Sequence, residues 1–136
     1  MKRGKLFAFS RFFVRLKIGR WTAEVTPPTG PTVYVCSHGN MAGPLATLCW
    51  LPFSVRPWVF HVFTDKKTCY EQFSGYTFSQ RFGLPQPLAN LLAGIVSGYV
   101  STLMTSTGAI PVYRGSIHIG ATFKETVAAL QAGDSV

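Results

Sequence analysis

Acids are scarce in this chain. Five Asp and Glu stand against 13 Lys and Arg in 136 residues, and charged residues of either sign make up only 13%. Residues 1–20 contain no acid, and residues 82–113 contain no charge at all. Cysteine is scarce too: Cys36, Cys49 and Cys69 are an odd number, with no Cys-x-x-Cys spacing and no histidines at zinc-site intervals. A disulfide framework and a structural zinc site are thereby excluded, and Cys36 and Cys49 read as small buried apolar residues in a reducing compartment. No repeat, low-complexity tract or domain linker interrupts the chain. With 47% hydrophobic and 14% aromatic residues it is too apolar for a disordered protein, and its length suits one globular unit.

The positive charge is concentrated. Lys2, Arg3, Lys5, Arg11, Arg15, Lys17 and Arg20 give residues 1–20 a charge of +7, while residues 21–136 carry six bases and five acids. A nucleic-acid module would spread bases and stacking aromatics over its working face, so no nucleic-acid partner is expected. Within the arm, Phe9, Phe12, Phe13 and Leu16 recur at helical spacing, and Arg11 and Arg15 lie one turn apart. The pattern predicts a basic amphipathic helix on a membrane surface, aromatic face in the acyl boundary, each base near anionic headgroups adding about 1 kcal/mol. A secretion signal is disfavoured because the arginines break the apolar run and no small-residue cleavage site follows. The competing reading packs the same stripe on the body of the domain.

The body alternates strand and helix signals. Residues 21–25 read as a short strand, 26–31 as a turn, and 33–36 as a buried strand running into Ser37-His38-Gly39-Asn40. A helix is expected over 44–51, a second buried strand over 58–63, and a helix capped by Asp65 that begins with Lys66 and Lys67. The best twenty-residue apolar window, 88–107, is diluted by Asn90 and six Ser and Thr residues. It is therefore expected to be a buried or interfacial helix, with Gly94 and Gly98 as its close-packing face. Residues 108–114 read as a turn and short strand. Thr122 to Glu125 has the capping-box pattern, with Phe123, Val127 and Leu130 as the apolar face of the last helix and Gly133 as its stop. A strand that runs into a polar turn and then a helix is where open α/β sheets bind ligands.

This order resembles the lysophospholipid acyltransferase family, the 1-acylglycerol-3-phosphate acyltransferases, from about Trp21 to Val136. In that family a strand leads into Asn-His-x-x-x-x-Asp; here Ser37-His38-Gly39-Asn40-Met41-Ala42-Gly43 matches, with Ser37 for the Asn and Gly43 for the Asp. The family's second block, Gly-x-Ile-Pro-Val-x-Arg, is matched from Gly108 through Pro111 to Arg114. Its third, Phe-Pro-Glu-Gly, would begin where the sequence stops, at Val136, so an incomplete unit with little or no acyltransferase activity is expected. The resemblance implies an α/β fold, a central mixed sheet flanked by helices, here incomplete and preceded by the N-terminal amphipathic helix. The organisation is then 1–20 as a membrane-surface helix and 21–136 as a partial acyltransferase domain.

The implied chemistry is acyl transfer from acyl-CoA or acyl carrier protein to a lysophospholipid or glycerol-phosphate hydroxyl in phospholipid biosynthesis. No cofactor is implied beyond that acyl donor. His38 would accept the hydroxyl proton, since an imidazole titrates near neutral pH. Arg114 would hold the acceptor phosphate through its planar fork, with Gly108, Pro111, Ser37 and Asn40 as further substrate contacts. Asn40, Asp65 and Glu71 are the alternatives for the acid missing at Gly43. His61 and His118 belong to no motif and read as structural. The expected location is peripheral, on the cytoplasmic face of a membrane. The alternative from another class is a non-catalytic membrane-surface or interaction protein that retains the scaffold.

Overall fold

The computed structural model describes residues 4–18, 27, 29–36, 42–115 and 117–136. The expected strand over 21–25 and the tetrad at 37–40 lie outside these residues. The described chain is mostly helical around a small parallel sheet: α1 (Lys5–Ile18), α2 (Ala42–Trp50), β1 (Trp58–Phe60), α3 (Lys66–Gln72), α4 (Gln86–Ser106), β2 (Ile110–Val112) and α5 (Ile119–Gln131). A 3₁₀ turn, His61–Phe63, follows β1, and α3 continues through Phe73–Arg81 as a wider π-helical stretch.

β1 and β2 pair in parallel, Trp58 opposite Ile110 and Phe60 opposite Val112. The parallel order extends beyond these two strands. Ser135 bridges Val55 in parallel, and the Arg56 N–H donates to its carbonyl at 2.9 Å. Val136 donates to Thr32 O at 3.0 Å and accepts from Tyr34 N–H at 2.7 Å, the pattern of parallel pairing with Val33. The segments at 32–36, 135–136, 55–60 and 110–112 therefore lie side by side and run in one direction. All described pairing is parallel, and among the described residues the sheet amounts to two short strands and these bridges rather than the expected central mixed sheet.

Several local expectations change. Residues 33–36 are extended but exposed: Val35 is 94% accessible and Cys36 is also exposed, so neither is the buried residue its apolar run suggests. The strand expected over 58–63 stops at Phe60, where the chain turns and brings Phe63 back against the Phe60 ring at 6.3 Å. Thr64 secures that turn, its N–H and hydroxyl both donating to His61 O. Asp65 then caps α3 as expected, Oδ1 accepting from Thr68 N–H at 3.0 Å.

The helices bury small and polar residues and expose large apolar ones. α4 turns Ala89, Ala93, Ser97 and Ser101 inward, one register away from the predicted Gly94 and Gly98 face. A side chain at Gly98 would meet only the end of the Lys66 side chain, and one at Gly94 would point into open space, so neither glycine marks a close-packed face. On α5 the buried residues are Thr122, Thr126 and Ala129, while Phe123 and Val127 are half-exposed. The capping box does not form, because α5 begins at Ile119 and Thr122 lies within it. The fully buried Thr122 hydroxyl instead donates to Pro111 O at 2.7 Å, tying α5 to β2. Gly133, at φ 87°, ends α5 as the sequence indicates.

Beneath the sheet, Ile110, Ala129 and Val136 form the core, with Leu130 packed against it. Arg56 clamps its margin. Its Nε donates to Gly108 O at 2.8 Å, one Nη pairs with Glu125 at 3.2 Å, and the other lies 3.9 Å from Asp134.

Candidate functional site

The site begins with strand direction. In a parallel sheet every carboxyl end points to the same edge, and loops leaving that edge converge. Phe60 and Val112 end their strands in this direction, the segment through Cys36 runs the same way, and Arg114 follows β2 by two residues. Its exposed guanidinium sits over the Phe60 ring, 5.4 Å from the centroid, and pairs with no carboxylate among the described residues. An aromatic face can steady a guanidinium without neutralising its charge, so the fork stays available to an anion.

The other residues expected here divide. Ser37, His38 and Asn40 lie outside the described residues; the described segment before them, through Cys36, runs toward this edge. Gly108 takes a left-handed conformation (φ 68°) that closes α4, and its carbonyl is engaged by Arg56. Pro111 lies opposite Val59 in the sheet, its carbonyl engaged by Thr122. Both therefore shape the strand that carries Arg114. Of the alternatives for the missing acid, Asp65 is committed to capping α3. Thr68 N–H is the main reason its carboxyl is held below the usual range.

Sequence reasoning missed His61. The half-buried ring stacks on Tyr113 at 4.8 Å and meets Phe60 edge-on at 4.9 Å. Its Nδ1 lies 3.3 Å from Val112 O. Tyr113 in turn approaches His118 at 6.1 Å. Arg114, Phe60, His61, Tyr113 and His118 thus form one connected group at the carboxyl edge. No motif marks it, because it arises only when β1 and β2 pair.

The N-terminal helix differs from its expected orientation. Arg11 and Arg15 face the body: Arg11 Nε donates to Cys49 O at 2.6 Å, and Arg15 reaches the same carbonyl through Nε at 2.9 Å and Nη2 at 2.6 Å. They satisfy the carbonyl end of α2, a helix terminus that favours cations by about 1 kcal/mol. Burial, and then Arg15 beside it, lowers the pKa of Arg11 from its ordinary value. Phe7 and Ser10 are buried on the same side, and α1 crosses α4 with Gly4 against Ser106 and Ser10 against Tyr99. Because the Ser10 hydroxyl donates to Leu6 O, the 2.6 Å contact is donated by Tyr99.

The aromatic stripe is left outside. Phe9, Phe12, Phe13 and Leu16 are each at least half accessible, and Phe13 packs against Phe9 at 4.8 Å and Phe12 at 5.5 Å. Leu88, Leu91, Ile95 and Tyr99 form an exposed stripe along α4, which is long and apolar enough to cross a membrane. Two concavities lie elsewhere. One of about 510 Å³ is lined by Asp65, Lys66, Lys67, Tyr70, Gly94 and Ser97; one of about 340 Å³ includes Phe53 and Asp134. Neither includes Arg114, whose surroundings are open.

Comparison with protein-family models, curated proteins and solved structures finds no match.

Proposed function

We propose that the chain is an acyltransferase-type domain working at a lipid surface, moving a fatty acyl group from acyl-CoA or acyl carrier protein to a hydroxyl of a phosphorylated glycerol lipid. His38 is the proton acceptor and Arg114 the phosphate-binding cation. The observation that supports this reading is strand direction: the described segment through Cys36, which precedes the first block, and the strand preceding Arg114 run in parallel toward the same edge of the sheet. As the acceptor hydroxyl attacks the thioester carbonyl, its proton passes to the imidazole, and thiolate departs as the tetrahedral intermediate collapses. A fixed guanidinium on the phosphate orients that hydroxyl and offsets the dianion's charge.

A lipid acceptor needs a protein that meets the bilayer, and the exposed aromatic face of α1 supports a peripheral location. Lys5 and Lys17, exposed on the same helix, supply the cations in place of the inward-turned arginines. Gly43, where the family has its acid, favours the second reading, a non-catalytic lipid-surface protein. Both readings are tested by assaying the chain with lysophosphatidic acid and acyl-CoA on vesicles containing phosphatidylglycerol. Turnover that His38→Ala abolishes supports the acyltransferase reading. Vesicle binding without turnover selects the non-catalytic protein.

A further inference from the structure

Histidine 61 has one ring nitrogen committed and one uncommitted by any described contact. A carbonyl only accepts, so the 3.3 Å contact from Nδ1 to Val112 O requires the proton on Nδ1. In the neutral ring this leaves a lone pair on Nε2. The ring is held on three sides, by Tyr113 stacked against it, Phe60 at its edge and the Val112 carbonyl. Such a ring presents its remaining nitrogen in a fixed direction at little entropic cost on binding. Arg114 is packed on the same Phe60 ring. A planar cation and a fixed acceptor therefore both contact one aromatic side chain, at the carboxyl edge of the sheet.

We infer that His61 and Arg114 form a two-point site for a small phosphorylated hydroxy compound. Arg114 holds the phosphate, and Nε2 of His61 accepts a hydrogen bond from a hydroxyl on the carbon skeleton. His61 is then a specificity-determining residue, separating phosphorylated polyols from simple alkyl phosphates. The inference rests on Arg114 as the phosphate-binding cation of the proposed function and adds the group that reads the rest of the ligand.

Calorimetric titration of the full chain with sn-glycerol 3-phosphate and with propyl phosphate, which lacks the hydroxyls, tests it. The wild-type chain is expected to bind glycerol 3-phosphate about ten times more tightly, the contribution of one well-formed hydrogen bond to a fixed partner. His61→Phe keeps a ring for Tyr113 and Phe60 to pack against. It should abolish the difference while leaving propyl phosphate affinity unchanged. Should that variant fail to fold, His61→Asn, which retains a donor for the Val112 carbonyl, takes its place with the same expected loss. Arg114→Gln should weaken both ligands together. Glycerol 3-phosphate preference that survives in the folded His61 variant overturns this inference alone. Failure of the wild-type chain to bind either phosphate, or indifference to Arg114→Gln, overturns the Arg114 reading and the inference with it.

Discussion

The sheet end and the helical faces of this molecule follow opposite rules. Around β2, the large apolar Ile110 is fully buried, Ala129 and Val136 close over it, and Arg56 ties the margin through Gly108, Glu125 and Asp134. On α1, α4 and α5 the inward positions are Ser, Thr and Ala, with Phe7 the one buried aromatic on α1, while Phe9, Phe13, Ile95 and Phe123 face out. The first arrangement stabilises a fold in water; the second leaves apolar area in excess of ordinary surface needs. The sheet end supplies stability and the candidate site, and the helical faces leave large apolar side chains exposed, the surface on which the proposed lipid contact rests.

That division predicts which changes cost stability and which cost binding. Ile110→Ala removes the largest fully buried side chain and should destabilise the chain by about 3 kcal/mol, measured by urea denaturation. Arg56→Ala should cost about 2 kcal/mol, since it leaves the Gly108 carbonyl and the Glu125 carboxylate without their partner. If Arg56→Ala proves as mild as an exposed-residue change, the clamp is not what closes the sheet end. By contrast, Phe9→Ser with Phe13→Ser should leave the denaturation midpoint within experimental error and reduce binding to phosphatidylglycerol vesicles at least tenfold. Equal binding by this double variant would leave the exposed stripe of α1 without a role.

Two smaller effects sharpen the same contrast. Burial, and then the Asp65 charge, pushes the Cys69 thiol up to about 11. Near pH 8, Ellman's reagent should therefore modify the exposed Cys36 and reach Cys69 and the buried Cys49 only on unfolding. Fast reaction of Cys69 would show that the packing around α3 opens in the native state. Asp65 titrates below the usual carboxylate range when folded. Its contribution is complete above the unfolded value and disappears as pH falls through the lowered one. Asp65→Asn should accordingly flatten the acid side of a stability profile by a small amount.

Much of the local structure was legible in the sequence. The helical periods of α1 and α5, the Asp65 cap, the Gly133 stop and the helix between residues 82 and 113 all follow from spacing and side-chain chemistry. Which face a helix buries did not follow. An apolar stripe is ordinarily read as the inward face, yet Phe123 and Val127 are outside because the Thr122 hydroxyl is drawn to Pro111 O. Arg11 and Arg15 turned inward for a comparable reason: the α2 carbonyl end offered them acceptors that no sequence pattern reveals. His61 was missed because its partners, Val112 and Tyr113, lie about fifty residues away and reach it only through parallel pairing. Arg114 entered the sequence reading because its block is contiguous in the chain.

Parallel order directs the described segment through Cys36 and the strand preceding Arg114 toward one edge of the sheet. Cys36 allows a direct measurement, since it is exposed whereas Cys49 and Cys69 are buried. A nitroxide attached to Cys36 should strongly broaden the Nε–H resonance of Arg114 in an NMR spectrum, while the side-chain amide of Gln131, at the far end of α5, stays sharp. Broadening at Gln131 with a sharp Arg114 signal would set the two segments at opposite ends of the sheet and contradict the account.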